Sequence, residues 1–145
     1  MIDEYWTFDD GDDLESAKNY EKLFDIALRV IKRMPQPVCQ VCGPVTTGGL
    51  GSMDKNMEEI EKMIRILRSR GISVFNNMVF EEAMQRIKKT PYYRGGNHLL
   101  NAFYLPLFES GLVKVLCFLP GWTSSEGAKW EHEQALRLGI KIVYL

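Results

Sequence analysis

The chain reads as an α/β fold of the Rossmann-like or flavodoxin-like kind, a parallel sheet of four to five strands with helices on both faces. Two patterns predict it. Strand-sized apolar runs alternate with amphipathic stretches along the whole length, the arrangement that right-handed crossovers between parallel strands require. The apolar runs are also nearly continuous rather than alternating, VCQVC at 38–42 above all, as strands covered on both faces are. Size and balance agree: 145 residues, 46% hydrophobic and 26% charged, suffice for one domain to bury a core without disulfides or metal.

The first 13 residues are acidic, carry Tyr5, Trp6 and Phe8 without a clear period, and read as an arm or loose cap. Over 14–34, Ala17, Tyr20, Leu23, Phe24, Ala27, Leu28, Ile31 and Met34 recur at three and four, which predicts an amphipathic helix ended by Pro35 and Pro37. Segment 1–37 is therefore an acidic arm with a helix, and 38–145 the α/β domain. Its first strand, 38–42, stops at Gly43 and Pro44. The loop GPVTTGGLGS leads into a helix with Met53, Met57, Ile60, Ile64 and Leu67 on one face, closed by Gly71. A strand is predicted at 72–75, a helix at 80–89 and a loop at 91–96 with Tyr92, Tyr93 and Arg94, which can serve as a lid. A helix at 98–109, a strand at 113–119, the Pro120 loop, a helix and a strand at 140–145 complete the order.

Eighteen Lys and Arg against nineteen Asp and Glu leave a net charge of −1, so no global field favours a nucleic acid polymer or an anionic membrane. The apolar runs are too short to span a bilayer, and Met1 opens onto acidic residues rather than a secretion signal; the expected location is cytoplasmic. Three cysteines, Cys39, Cys42 and Cys117, are too few for a disulfide framework. The Cys39–Cys42 spacing is that of a zinc half-site, but only His98 and His132 could complete it, so neither metal nor cofactor is expected. Three apart on a strand, the two thiols face opposite ways and read as core packing.

Ligands of parallel sheets bind beyond the carboxyl ends of the strands, where strand order reverses. The loops after Cys42, Phe75 and Leu119 are thus the candidates, with PGWTSSEGAKWE foremost. Thr123 and Glu126 fit a capping box. The helix start that follows Ser124 and Ser125 suits a phosphate or carboxylate, though a plain cap accounts for it equally. Glu131 falls on the apolar stripe of Ala128, Ala135 and Leu138. A buried carboxylate there needs donors or a ligand; the alternative is a structural pairing with Arg94, Lys129 or backbone.

The run from Ser125 through Gly127 to Glu131 resembles the S-x-G-x-x-x-E pattern of the nucleoside 2-deoxyribosyltransferase-like superfamily. VCQVCGP resembles its first strand and Gly-Pro turn, and SVFNN its second strand ending in Asn. The likeness covers about 38–145 and is closest to a small uncharacterised branch of phage and bacterial proteins, through FESGLVKVLCFLPGW and the helix that follows. It implies that Glu131 attacks the anomeric carbon of a nucleoside or nucleotide, with retention. It also implies that Ser124, Ser125 and Gly127 hold the 5′ group, and that Gly43, Pro44, Thr46, Thr47 and Asn77 line the base and sugar site. Trp122 and the Tyr92-Tyr93-Arg94 loop can stack on a base or form a subunit contact. Superfamily sites are often completed across a dimer, so a homo-oligomer is expected, with helix 14–34 either at the contact or covering its own sheet. One departure stands out: the aspartate that protonates the base is absent, and the region offers Asn101, Tyr104 and Glu109, with His98 a further candidate. The expected activity is that of an N-glycosidase or 2-deoxyribosyltransferase-like enzyme. The alternatives are a non-catalytic nucleotide-sensing module, or a nucleotide phosphoribohydrolase-like enzyme, whose Pro-Gly-Gly-x-Gly-Thr-x-x-Glu motif PGWTSSEGAKWE loosely resembles.

Overall fold

A computed structural model describes residues 3–145. In chain order the elements are α1 (Phe8–Ser16), α2 (Tyr20–Lys32), β1 (Val38–Cys42), α3 (Met53–Ser69), β2 (Val74–Phe75), α4 (Glu81–Lys88), α5 (Leu105–Glu109), β3 (Val113–Phe118), α6 (Glu126–Leu138) and β4 (Lys141–Tyr144). The four strands form one all-parallel sheet in the order β2-β1-β3-β4. The predicted fold class is therefore observed. Among the described residues no helix is long and apolar enough to cross a membrane.

The chain divides into two compact units, one of residues up to Met34 with Val79–Leu112, the other of Pro35–Met78 with Val113–Leu145. The second holds the sheet. On one of its faces Cys39 and Val41 of β1, Val74 of β2 and Cys117 of β3 pack against Ile60, Ile64 and Leu67 of α3. On the other lies α6, whose Glu131 meets Gln40 and Cys42 and whose His132 meets Phe118. Strict alternation along β1 thus sends its residues to two different helices. β2 is shorter than the predicted 72–75, because Ile72 is still bonded to Leu67 at the end of α3, at 3.1 Å, and only Val74 and Phe75 pair with β1. Strand order reverses between β1 and β3, which places the switch point at Cys42 and Phe118.

The other unit is helical. The opening stretch is a helix rather than a loose arm: Thr7 caps α1 by accepting from Asp10 N–H at 3.1 Å, and Asp10 accepts from Thr7 N–H at 3.0 Å. The single helix predicted over 14–34 is interrupted at Ala17, and Asn19 caps α2 by accepting from Lys22 N–H at 2.8 Å. Between 98 and 109 the chain makes a π-helical turn at Leu100–Tyr104, with Leu105 N–H bonded to Leu100 O, before α5. Pro106 explains it, since proline has no N–H and its ring crowds the carbonyl four residues back.

Asp10 is 1% exposed and meets Arg29 Nε at 3.0 Å and Arg33 Nη1 at 2.5 Å. Burial by itself would raise its pKa, but hydrogen bonds from Arg33, the Thr7 backbone and side chain, and Arg29 bring it down to about 2. A carboxylate depressed in the folded state stabilises fully above its unfolded value of about 3.9. That contribution is lost as pH falls through about 2. Asp10→Ala should lower the unfolding free energy by about 2 kcal/mol, below the usual figure for a broken buried pair because both arginines are partly solvated. Urea denaturation should show this loss at pH 7 and a smaller one near pH 2.

Candidate functional site

α6 begins two residues later than a Thr123 cap would require. Trp122–Ser124 form a 3-10 turn, with Ser124 N–H on Gly121 O at 3.0 Å and Ser125 N–H on Trp122 O at 3.1 Å. Only at Ser125 does the backbone reach the extended φ −108° and ψ 124° that a cap needs, and its hydroxyl accepts from Ala128 N–H at 3.1 Å. The capping box of Thr123 with Glu126 is therefore absent. Glu126 lies at the first helical position, pairs with Lys129 at 3.0 Å and is exposed. Gly139, left-handed at φ 70°, ends the helix.

This register carries Glu131 onto the sheet beside buried Ala128 and Ala135. It is 8% exposed. Its Oε2 accepts from Gln40 Nε2 at 2.8 Å and from Cys42 Sγ at 3.4 Å. Burial first, and then the carboxylate beside it, push the Cys42 thiol well above its ordinary pKa, so it stays an S–H donor. Gln40 is fully buried, and its Oε1 has no partner among the described residues. Lys129 is engaged by Glu126, and donors from β1 meet Glu131 instead. The sequence pattern marks Cys42 only as a packing thiol and does not single out Gln40. Cys39, as expected, does pack in the α3 core.

The loop after β1 is built from contacts that the sequence did not announce. Buried Asn56 of α3 accepts from Leu50 N–H at 2.9 Å and donates to Val45 O at 3.0 Å and Gly48 O at 3.2 Å. Thr47 Oγ1 accepts from Glu126 N–H at 3.2 Å, and Ser124 Oγ accepts from Gly49 N–H at 2.9 Å while donating to Gly121 O at 2.8 Å. The loop is thus fastened to the start of α6. Gly48, at φ 69°, sits so close that a Cβ would lie 2.1 Å from Ser124 O. A Cβ on Gly43 would lie 2.9 Å from Leu119 Cδ1. A cavity of about 360 Å³ is lined by Pro44, Gly49, Leu50, Asn56, Glu59, Leu119 and Pro120, so of the candidate site residues it takes in Pro44 and not Glu131.

The structure thus brings Gly43, Pro44, Thr47, Ser124, Ser125, Gly127 and Glu131 to one end of the sheet, at the switch point. Thr46 lies exposed on the same loop, and Asn77 is buried in the turn at the carboxyl end of β2. Trp122 stacks on His132, with centroids 4.3 Å apart and planes 19° apart, and also flanks Tyr144 at 6.3 Å. His132 in turn bonds Tyr144 Oη through Nε2 at 2.7 Å. The four candidates for proton transfer, His98, Asn101, Tyr104 and Glu109, belong to the helical unit. His98 lies among Tyr20, Tyr92 and Tyr93 and accepts from Arg94 N–H at 3.0 Å, Tyr104 is buried, and Asn101 and Glu109 are exposed. Among the described residues no group of three His, Cys, Asp or Glu could hold a metal ion.

Gln40→Leu strips the stronger donor from a buried carboxylate and should lower stability by about 2 kcal/mol. In a Glu131→Leu background the same change should cost much less, because the carboxylate is gone; a double-mutant cycle by chemical denaturation measures the difference. Gly48→Ala should be destabilising by at least ~1 kcal/mol, since both its positive φ and its space are denied to alanine; thermal denaturation reads the loss.

Residues 38–144 match the family described as Domain of unknown function (DUF4406). No curated protein and no solved structure matches the chain.

Proposed function

The chain belongs to the DUF4406 family, a domain of unknown function, and from that premise we propose that it is an N-glycosidase or 2-deoxyribosyltransferase-like enzyme acting on a nucleoside or nucleotide. The observation that carries this reading is the Glu131 carboxylate, held by Gln40 and Cys42 next to the switch point of a parallel sheet. Donors that hold one oxygen of a carboxylate fix its direction, which an attacking nucleophile requires. The resemblance of the Ser125 to Glu131 run to the nucleoside 2-deoxyribosyltransferase-like superfamily supports the same role.

In this reading Glu131 forms an ester with the anomeric carbon and displaces the base, and water or a second base then resolves it, with retention. The 5′ group lies toward Ser124, Ser125 and Gly127. Base and sugar are lined by Gly43, Pro44, Thr46, Thr47, Asn77 and Trp122. One observation favours a non-catalytic nucleotide sensor instead: the chain has no aspartate at the place where the superfamily's enzymes protonate the base.

The test is incubation of wild type and Glu131→Ala with deoxynucleosides, ribonucleosides and their monophosphates, following free base by chromatography. Wild type should release base and Glu131→Ala should do so at least ~10³-fold more slowly. Absence of release by wild type, with thermal stabilisation by a nucleotide, would replace the enzyme by the sensor.

A further inference from the structure

Departure of a nucleobase needs a proton donor as well as a nucleophile, and the sequence carries no aspartate where the superfamily has one. Resting on the glycosidase reading above, we propose that His132 is that donor, positioned by Trp122 and Tyr144, and protonates the leaving base.

Placement comes from the sheet. Cys42, Phe118 and Tyr144 are register partners on β1, β3 and β4, so their side chains form one row on the face that α6 covers. Above that row Glu131 meets Cys42, at 3.4 Å, and His132 meets Phe118, with centroids 5.1 Å apart, and Tyr144. Neighbouring strands are about 4.8 Å apart, so the carboxylate and the imidazole are displaced along the row by one to two strand spacings. A retaining O-glycosidase needs its two groups about 5.5 Å apart because the acid protonates the very oxygen that leaves. A nucleobase is protonated instead at a ring nitrogen or carbonyl oxygen further from the anomeric carbon, so its acid stands further from the nucleophile.

The imidazole has the properties of such an acid. Its Nε2 is fixed on Tyr144 Oη at 2.7 Å, while Nδ1 has no partner among the described residues. Trp122 lies flat against the ring, with centroids 4.3 Å apart and planes 19° apart, and so fixes its plane. Of the strands beneath it, β3 contributes Phe118 and β4 the phenol of Tyr144, which is 61% exposed and connects the pair to solvent. In the first step a Glu131 oxygen bonds to the anomeric carbon, the C–N bond breaks with its electron pair on the base, and the imidazolium proton moves to that base. In the second, water attacks the anomeric carbon and gives a proton to the now neutral imidazole, while the bond from that carbon to the Glu131 oxygen breaks with its electron pair on the oxygen, restoring imidazolium and carboxylate.

The experiment compares wild type, His132→Gln and Tyr144→Phe on a purine 2′-deoxynucleoside monophosphate and on its 7-methyl derivative, whose cationic base leaves without protonation. His132→Gln should slow release of the ordinary base roughly 10²- to 10⁴-fold and leave release of 7-methylpurine near the wild-type rate. Tyr144→Phe, which keeps the ring and removes only the hydroxyl, should show the same selectivity more weakly and serves if His132→Gln fails to fold. Equal slowing on both substrates, or none on either, overturns the assignment of His132 while leaving Glu131 as nucleophile. No release by wild type from either substrate overturns the glycosidase reading and this assignment with it.

Discussion

Setting a carboxylate between a helix and a sheet costs several kcal/mol unless hydrogen bonds replace the lost water, and at Glu131 those bonds come from β1. A glutamine in the middle of a strand covered on both faces would itself be costly to bury. Here each polar group answers the other: the Gln40 amide and the Cys42 thiol, two residues apart and so on one face, converge on Oε2. The arrangement works only with α6 close and in one register. Closeness follows from Ala128 and Ala135, whose small side chains let the helix approach, and register from the Ser125 cap and Gly139. The placement of the α6 start beside the end of β1 is thus a consequence of where Glu131 must sit.

β1 divides its labour by alternation. Cys39 and Val41 join the apolar cluster under α3, and Gln40 and Cys42 serve the polar group under α6. That split was half legible. The alternation of strand and helix, the continuous run at 38–42 and the intrusion of Glu131 into an apolar stripe are all local patterns; the first holds in outline, and the other two appear where the sequence puts them. The role of Cys42 was hidden because a buried thiol looks the same whether it packs or donates. Gln40 was hidden because one polar residue among four apolar ones does not disturb the strand pattern.

Local motifs also misled in opposite directions. Thr7 and Asp10 make a capping box with aspartate in place of the usual Glu or Gln, and a segment without apolar period became a helix around a buried carboxylate. Thr123 and Glu126 have the usual spelling but no box, since a 3-10 turn takes up Trp122–Ser124 first. The contact of His132 with Tyr144 was legible in neither place. It exists because β4 adds beside β3, and strand order is a property of the whole sheet rather than of any window.

The loop after β1 is held against the start of α6 by the protein's own groups. Thr47 accepts from the Glu126 N–H and Ser124 accepts from the Gly49 N–H, which are neutral bonds of about 1 kcal/mol net each. An anion at the same place would receive charge-assisted bonds roughly twice as strong, together with the favourable end of the helix dipole. It would therefore outcompete the threonine hydroxyl for the backbone N–H. Yet the loop is anchored elsewhere, by three bonds to Asn56 and by the tight fit of Gly48 against Ser124 O.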